Sequence, residues 1–399
     1  MSKRPFNRFV DTIRQSPAAI LTNRASELTQ SGVDVICMCR ESPDFRLPEH
    51  VRAAAIEMIE DTSVSCDARI EVAELRTAIV EKMRRENGLE YHPSEILVTS
   101  GGKQACSTAI AALVDIGDEV LIPAPYWSSY PGMVRLVGGE AIALPTSRRT
   151  ELKITPSQLT ESITSKTKLL ILNSPANPSG AAYTADELEE LADVVRESNI
   201  FILSDDVYER FVYEGEFANI LMVAPDLRER TVVVNSMSKS YGMAGWHIGW
   251  AAGSAEVIRT MAKIREHQTT KPSIFGQRAA LAALNGPLDF LIEWREDYRK
   301  RRDYTCERLH NMPWIVCPGL VGAFFAFPDI SSILGKSVGD RLIDDDIAFC
   351  TYLLEEHRVS TMPGSAYGLP GYARLSYACD TERLAEALDR FEAGLAALT

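Results

Sequence analysis

Short apolar, β-branched runs alternate with stretches of helical period through the middle of the chain. This alternation is typical of β–α crossover units and predicts a largely parallel sheet. The apolar runs predict seven strands, over residues 95–99, 119–123, 140–145, 168–173, 199–204, 231–235 and 247–252. The amphipathic stretches between them predict helices over residues 103–114, 129–136, 184–198 and 255–266.

The segments on either side of this region predict mainly helices. Helices are expected over residues 48–61, 72–87, 273–285, 288–310 and 380–397, and strand-like pieces over 323–327, 358–362 and 372–377. The order predicts an α/β fold with two domains. A large domain, residues 46–288, would hold a mostly parallel seven-stranded sheet flanked by helices, and both chain ends, residues 1–45 and 289–399, would form a smaller α+β domain.

Composition and charge narrow the class of protein. The chain has 399 residues, enough to bury a sizeable core, and a formal net charge of -13. An acidic surface repels phosphate polymers and anionic lipids, so neither nucleic acid nor a membrane is an expected partner. No apolar run reaches the length of a membrane helix, and the first residues lack the apolar segment of a signal peptide. We therefore expect a cytoplasmic protein.

The eight cysteines give no sign of a disulfide framework or a metal site. They contain no Cys-x-x-Cys pair and no cysteine–histidine spacing of the kind that binds metal. Free thiols in a reducing cytoplasm are expected, with no metal site.

Polar side chains follow three of the predicted central strands. Asn177 lies just beyond strand 168–173, Asp205 follows strand 199–204 at once, and Lys239 lies shortly after strand 231–235. Ligands of an open parallel sheet bind at the carboxyl ends of its strands. Taken singly, each motif has an ordinary explanation as a turn, a helix cap or a solvated lysine. Together they predict that an amide, a carboxylate and an amine converge on one cofactor site.

The motifs in this order resemble the fold-type I pyridoxal-phosphate enzymes, specifically the class I aminotransferases of the aspartate aminotransferase branch. The resemblance covers nearly the whole chain, from about residue 18 to the last predicted helix. It rests on Ser42-Pro-Asp-Phe45, Thr99-Ser-Gly-Gly-Lys-Gln104, Pro125-Tyr-Trp127, Asn173-Ser-Pro-Ala-Asn-Pro-Ser-Gly180, Ser204-Asp-Asp-Val-Tyr208, Ser236-Met-Ser-Lys239, Gly245-Trp-His-Ile-Gly249 and Arg374-Leu-Ser-Tyr377.

This resemblance implies pyridoxal 5'-phosphate as the cofactor and three catalytic residues, Lys239, Asp205 and Tyr208. Lys239 would form a Schiff base with the cofactor and, once displaced, carry a proton. Asp205 would keep the ring nitrogen protonated. Tyr208 and Asn177 would hydrogen-bond the phenolic oxygen of the ring, and Trp127 would stack on its face.

The resemblance also implies a phosphate site. Gly101, Gly102 and Lys103 open the helix after the first predicted strand, where glycines allow close approach and free amides favour an anion. Ser236 and Ser238 would add hydroxyl donors.

For the substrate, the resemblance assigns the α-carboxylate to Arg374, a planar donor suited to that group. Glu41, Asn177 and Trp127 complete the implied substrate-binding set. An acidic substrate needs a second cation, for which Lys103 is a candidate, although a lysine at a helix start is more often solvated.

The chain departs from the family pattern at three places. His247 stands eight residues after the Schiff-base lysine, where the family usually has an arginine that contacts the phosphate. Cys66 and Glu71 replace a tyrosine and a glycine near the phosphate, and Glu41 replaces the glycine of the family's Gly-Glu-Pro-Asp-Phe segment. Weaker, pH-dependent cofactor binding is one interpretation, because histidine is a poorer phosphate ligand than arginine. The other is that His247 only packs.

Three functions follow as hypotheses. The first is a transaminase that exchanges an amino group between an L-amino acid and a 2-oxo acid by a ping-pong mechanism. The second is a lyase or carbon-bond-forming synthase with the same cofactor, and the third is a cofactor-binding regulator or inactive scaffold. The family also implies a homodimer with shared active sites, built with residues 66–69 and 268–272. The preferred amino donor stays open.

Overall fold

The computed structural model describes residues 9–12, 16–61, 69–269 and 271–399. The helices of these residues are α1 Pro17–Gln30, α2 Glu49–Glu60, α3 Arg69–Asn87, α4 Gly102–Leu113, α5 Tyr130–Leu136, α6 Pro156–Ser162, α7 Ala185–Arg196, α8 Ile220–Val223, α9 Met237–Ser240, α10 Ala255–Gln268, α11 Ile274–Asn285, α12 Asp289–Asn311, α13 Asp346–His357 and α14 Thr381–Ala396. The strands are β1 Ile36–Cys37, β2 Ile96–Thr99, β3 Glu119–Ala124, β4 Glu140–Pro145, β5 Thr167–Asn173, β6 Phe201–Asp205, β7 Thr231–Ser236, β8 Gly249–Ala252, β9 Phe325–Ala326, β10 Ser337–Val338, β11 Arg341–Leu342, β12 Val359–Ser360, β13 Met362–Pro363 and β14 Ala373–Ser376.

A seven-stranded sheet forms the centre of the molecule, with strand order β2-β8-β7-β6-β5-β3-β4. Six of its strands run parallel, and β8 runs antiparallel to both of its neighbours. The predicted α/β class and the mostly parallel sheet are confirmed.

Both faces of this sheet are buried, as crossover helices require. Successive side chains of a strand point to opposite faces. Leu170 and Leu172 of β5 accordingly pack in one apolar cluster with α3, α7 and α11, while Leu169 and Ile171 pack in another with α4 and α10. This packing places α3, α7 and α11 on one face of the sheet and α4 and α10 on the other.

A third apolar cluster joins the two ends of the chain. It contains Leu21 of α1 and Met38, together with Phe349 of α13, Leu375 of β14 and Leu395 of α14. Its strands form two small sheets, of order β13-β14-β9 and β1-β12. We propose the domain division at residues 46 and 289, which the composition of this cluster supports, since Leu152, Tyr208 and Phe211 are its only fully buried members from the described part of residues 46–288. Residues 1–8 and 13–15 of the smaller domain lie outside the described residues.

No helix among the described residues has both the length and the apolar character needed to cross a bilayer. Likewise, the described residues hold no group of three or more histidine, cysteine, aspartate or glutamate side chains placed to bind a metal ion.

Candidate active site

The carboxyl ends of β5, β6 and β7 open into a cavity of about 240 Å³, which the segment before α2 closes on one side. Twelve of the thirteen predicted site residues line it, and the thirteenth, Arg374, lies behind Glu41 and Asn177. The cavity is lined by Glu41, Ser42, Ser100, Gly101, Gly102, Lys103, Trp127, Tyr130, Asn173, Asn177, Asp205, Val207, Tyr208, Ser236, Ser238, Lys239, Ala244 and His247.

Lys239 projects into the cavity from the short helix α9. Ser236 caps this helix, its hydroxyl oxygen accepting the amide of Ser238 at 3.3 Å, and so fixes where the lysine leaves the backbone. Nζ donates to the backbone carbonyl of Glu41 and lies 5.7 Å from the ring centre of Tyr208. Burial lowers the pKa of Lys239 to about 8. About a tenth of the amine is therefore neutral, and nucleophilic, at pH 7.

Asp205 is a buried carboxylate at the end of β6, with 5% of its surface exposed. Oδ2 accepts hydrogen bonds from the Tyr130 hydroxyl at 2.6 Å and the Cys106 thiol at 3.6 Å, and Oδ1 accepts the amide of Val207 at 3.3 Å. Burial raises its pKa, while these donors favour the charged form. The donors are neutral, so a cation placed at this carboxylate would stabilise it further.

Asn173 ties the ends of β5 and β6 together. Its side-chain amide donates to the carbonyl of Asp205 at 2.9 Å, and its Oδ1 accepts the amide of Asn177 at 2.9 Å. These two hydrogen bonds fix the positions of Asn177 and Asp205 relative to each other.

The first turn of α4 lies beside β8 and is suited to serve as an anion cradle. The first amides of a helix have no partner within it and attract negative charge. Gly101 has φ +86°, and a Cβ on Gly249 would lie 2.6 Å from backbone atoms of Gly101 and Gly102. Only glycine at position 249 lets β8 and the loop approach this closely.

Arg374, on β14, is 1% exposed and surrounded by acceptors. Nη1 donates to Glu41 Oε1 at 2.7 Å and to Asn177 Oδ1 at 2.9 Å, and Nη2 donates to the carbonyl of Cys39 at 2.8 Å. Its Nε is buried without a partner among the described atoms. Although burial opposes it, the charges of Arg374 and Lys239 hold the pKa of Glu41 below its usual range. The guanidinium can bind a carboxylate, and in this structure it binds that of Glu41.

Trp127 and Lys103 stand at the mouth of the cavity. The Trp127 ring meets Tyr130 edge to face at 5.3 Å, which fixes its plane, and Lys103 Nζ lies 5.0 Å from its centre. Lys103 is exposed, so its charge faces the solvent side of the site.

His247 lines the cavity next to Gly101 in a left-handed backbone conformation, with φ +52°. Its side chain is exposed, so the interpretation that it only packs receives no support. Cys66 lies outside the described residues, and only the backbone of Arg69 and Glu71 is described, as part of α3.

The sequence did not point to two groups that contact Asp205. Tyr130 is the first residue of α5 and Cys106 lies on α4. Tyr130 follows the Pro125-Tyr-Trp127 motif by three residues, and this proximity was the available signal. Cys106 carries no such signal, because its contact depends on how α4 packs on the sheet.

The arrangement combines an anion cradle, a buried carboxylate, an amine of lowered pKa and a buried arginine around one cavity. Such a set can hold a phosphorylated, cationic heterocycle and a carboxylate-bearing substrate beside a nucleophilic amine.

Comparison with known proteins identifies the family. The sequence model of the aminotransferase class I and II family matches residues 33–391. An aspartate/prephenate aminotransferase of Cereibacter sphaeroides is 43% identical over 390 residues, 97% of this chain and 98% of that protein. An aspartate aminotransferase of Bacillus subtilis is 38% identical over 384 residues, 96% of this chain and 97% of that protein.

Solved structures agree. The aspartate aminotransferase of Rhizobium meliloti superimposes with a TM-score of 0.94 at 38% identity, covering 100% of both chains. That of Thermus thermophilus with maleate has a TM-score of 0.89 at 37% identity, covering 98% of this chain and 100% of the other. The predicted transaminase is confirmed, and neither the lyase nor the scaffold hypothesis is favoured. The chain belongs to the class I and II aminotransferases, in the aspartate aminotransferase branch.

Proposed function

We propose that this aminotransferase uses pyridoxal 5'-phosphate to move the amino group of an acidic L-amino acid, such as aspartate, to a 2-oxo acid. The observation that carries the proposal is the cavity itself, which the Lys239 amine and the Asp205 carboxylate line, with the Arg374 guanidinium directly behind Glu41. The names of the relatives above include aspartate and prephenate, and the Thermus structure was solved with the dicarboxylate maleate. Both support an acidic substrate.

The residues present fit the cofactor. Asp205 is a buried carboxylate with neutral donors only, which suits a protonated ring nitrogen. The α4 amides at Gly102 and Lys103, with the hydroxyls of Ser236 and Ser238, suit a dianionic phosphate. When bound, the cofactor supplies an electron sink for the substrate's Cα.

Lys239 is proposed as the residue that binds the cofactor's aldehyde and then moves a proton. Its amine, with a pKa lowered to about 8, is both a nucleophile and a base near neutral pH. The Glu41 carbonyl, which accepts from Nζ, orients the amine toward the interior of the cavity. Once free of the cofactor, the same amine would take the proton from the substrate's Cα and hold it for return.

Asp205 and Tyr208 are proposed to act on the cofactor ring. Asp205 would hold the proton on the ring nitrogen, and Tyr130 keeps that carboxylate oriented and charged. Tyr208, 2% exposed against Phe324 and Phe325, and Asn177 would hydrogen-bond the phenolic oxygen. Trp127 would cover one face of the ring.

Arg374 is proposed to bind the substrate's α-carboxylate by exchange. The incoming carboxylate would replace Glu41 on Nη1 in a charge-assisted hydrogen bond. Asn177 Oδ1 and the Cys39 carbonyl would keep the guanidinium in place during that exchange.

Lys103 is proposed to contact the second carboxylate of an acidic substrate. It stands at the mouth of the cavity over Trp127, with no acid partner among the described residues. A flexible cation at this edge can reach a distal carboxylate without blocking a neutral side chain.

A homodimer with shared active sites and a cytoplasmic location complete the proposal. The family resemblance supports the dimer. Residues 66–68 and Thr270, which belong to the segments expected to be shared, lie outside the described residues.

Reconstituted enzyme and single amino acids test the proposal. Aspartate is expected to bleach the absorption band of the bound cofactor, and a 2-oxo acid to restore it. Lys239→Ala should lack that band. Release of ammonia without bleaching, or a preference for neutral donors, would contradict the proposal.

A further inference from the structure

Two thiols meet beside the substrate-binding arginine. Cys37 is the last residue of β1, and Cys39 lies in the turn that follows it. Their Sγ atoms are 2.6 Å apart. Neither residue lines the cavity, and the proposed reaction uses neither side chain.

The backbone between these thiols is held on both edges. The amide of Met38 donates to the Ser360 carbonyl at 3.0 Å, and its carbonyl accepts the amide of Ser376 at 2.7 Å. Met38 itself is fully buried. The two thiols are therefore kept together by the fold rather than by a flexible loop.

Cys37 has the properties of a reactive thiol. It is exposed, and the hydrogen bond with the Cys39 thiol, with the charges of Arg40 and Arg374, lowers its pKa. Of the seven described cysteines, Cys37 alone has a lowered pKa, since pairing or burial raises the others.

We propose that Cys37 and Cys39 form a reversible oxidation site, whose disulfide weakens substrate binding at Arg374. The co-reactant is a low-molecular-weight disulfide such as oxidised glutathione. The Cys37 thiolate attacks one of its sulfurs, forming a mixed disulfide and releasing one glutathione thiolate. Cys39, losing its proton, then attacks Cys37 Sγ and releases the second glutathione. The two cysteines lose two electrons and two protons, and the oxidant gains both.

Oxidation would reach Arg374 through the backbone. The Sγ atoms, 2.6 Å apart, must approach to roughly 2.05 Å to form the bond, so at least one of the two residues has to move. Because the amide and the carbonyl of Met38 are both hydrogen-bonded, that movement falls on Cys39. The carbonyl of Cys39 accepts from Arg374 Nη2, and Glu41 follows two residues later. This step rests on the proposed role of Arg374.

Peptide mass spectrometry tests the oxidation itself. Trypsin releases residues 25–40, which contain both thiols and no other cysteine. After treatment of the folded enzyme with oxidised glutathione, this peptide should lose two hydrogen atoms in mass and regain them with dithiothreitol. Cys37→Ser should abolish the change, while Cys306→Ser, also in the small domain, should not. A persistent glutathione adduct, or an unmodified peptide, overturns the proposal.

Steady-state kinetics test the coupling to Arg374. Loss of one hydrogen bond to a charged group should raise KM for the amino acid roughly tenfold, with kcat changed less than twofold and full recovery on reduction. Cys37→Ser should keep the reduced enzyme's KM under oxidising conditions. An unchanged KM in the disulfide form overturns the coupling. An inactive reduced enzyme would instead contradict the proposed function, because the mass change does not depend on activity.

Discussion

Glu41 Oε1 lies 2.7 Å from Nη1 of Arg374, although the two residues are separated by 333 positions in the chain. The guanidinium proposed to receive the substrate therefore already carries an internal carboxylate. Glu41 stands where the family has a glycine. In a relative with that glycine, no side-chain carboxylate at this position has to leave the arginine before the substrate binds. If Arg374 binds the substrate as proposed, substrate binding in this chain includes the work of breaking an ion pair.

Replacing Glu41 should strengthen substrate binding. In Glu41→Gly the guanidinium is free to accept the α-carboxylate, and KM for the amino donor is expected to fall roughly tenfold. Glu41→Gln, which keeps a neutral acceptor, should give an intermediate value. Initial rates over a range of donor concentrations measure the change, and a higher KM in Glu41→Gly would show that Glu41 assists binding.

Lys103 should matter for acidic donors only. Lys103→Met removes the cation at the mouth of the cavity, and KM for aspartate should rise about fivefold, the size of an exposed ion pair. KM for alanine should stay the same. Lys103→Arg retains the charge and serves as the control. Equal effects on both donors would assign Lys103 to the phosphate instead.

Two neighbouring buried carboxylates are expected to differ in catalytic importance. Asp205→Asn leaves the ring nitrogen without a charged partner, and kcat should fall roughly a thousandfold. Asp206 does not line the cavity; its oxygens accept from Ser204 and Asn219, both at 2.6 Å. Asp206→Asn should therefore keep kcat within about threefold, as measured by single turnover with aspartate. Equal losses would indicate a structural defect.

Asp206 should make stability depend on pH. Burial raises the pKa of Asp206 to about 7, from the ordinary value of 3.8. The folded chain holds this proton more tightly than the unfolded chain, so the contribution is complete below about pH 4 and is lost as pH rises through 7. It amounts to about 4 kcal/mol. Urea unfolding at pH 5 and 8 should show wild type losing stability relative to Asp206→Asn. Parallel curves would contradict the raised pKa.

His247→Arg should retain the cofactor longer. Arginine carries a permanent charge and can donate two hydrogen bonds to a phosphate, whereas histidine offers fewer donors. Dialysis against cofactor-free buffer should show loss roughly tenfold slower in the variant. His267→Arg, on α10, controls for added charge, and faster loss from His247→Arg would mean that the cradle has no room for arginine.

The strands of the central sheet were predictable because their patterns are local, whereas helix α6 was missed. The seven central strands agree with the predicted ranges to within two residues at each end. Helix α13 was missed because its own apolar residues, such as Phe349 and Leu354, are spread around its circumference. They therefore leave no amphipathic period. Its capping residue, Asp345, was the available signal. Helix α1 was also missed, although Ser16 and Pro17 are typical of a helix start.

The same distinction applies to the site. Lys239 and Asp205 follow strands directly, so sheet topology brings them together. The hydrogen bond from Tyr130 to Asp205 and the ion pair between Glu41 and Arg374 join distant segments. They depend on how helices and chain ends pack, which no local pattern encodes.

At Gly249, backbone meets backbone. Where main chain rests directly on main chain, the position of the helix amides is independent of the side chains around them. The residue at position 247 can therefore change between arginine and histidine during evolution. Such a change would alter the affinity for an anion but not the position at which the anion binds. The fold separates the place of binding from its strength.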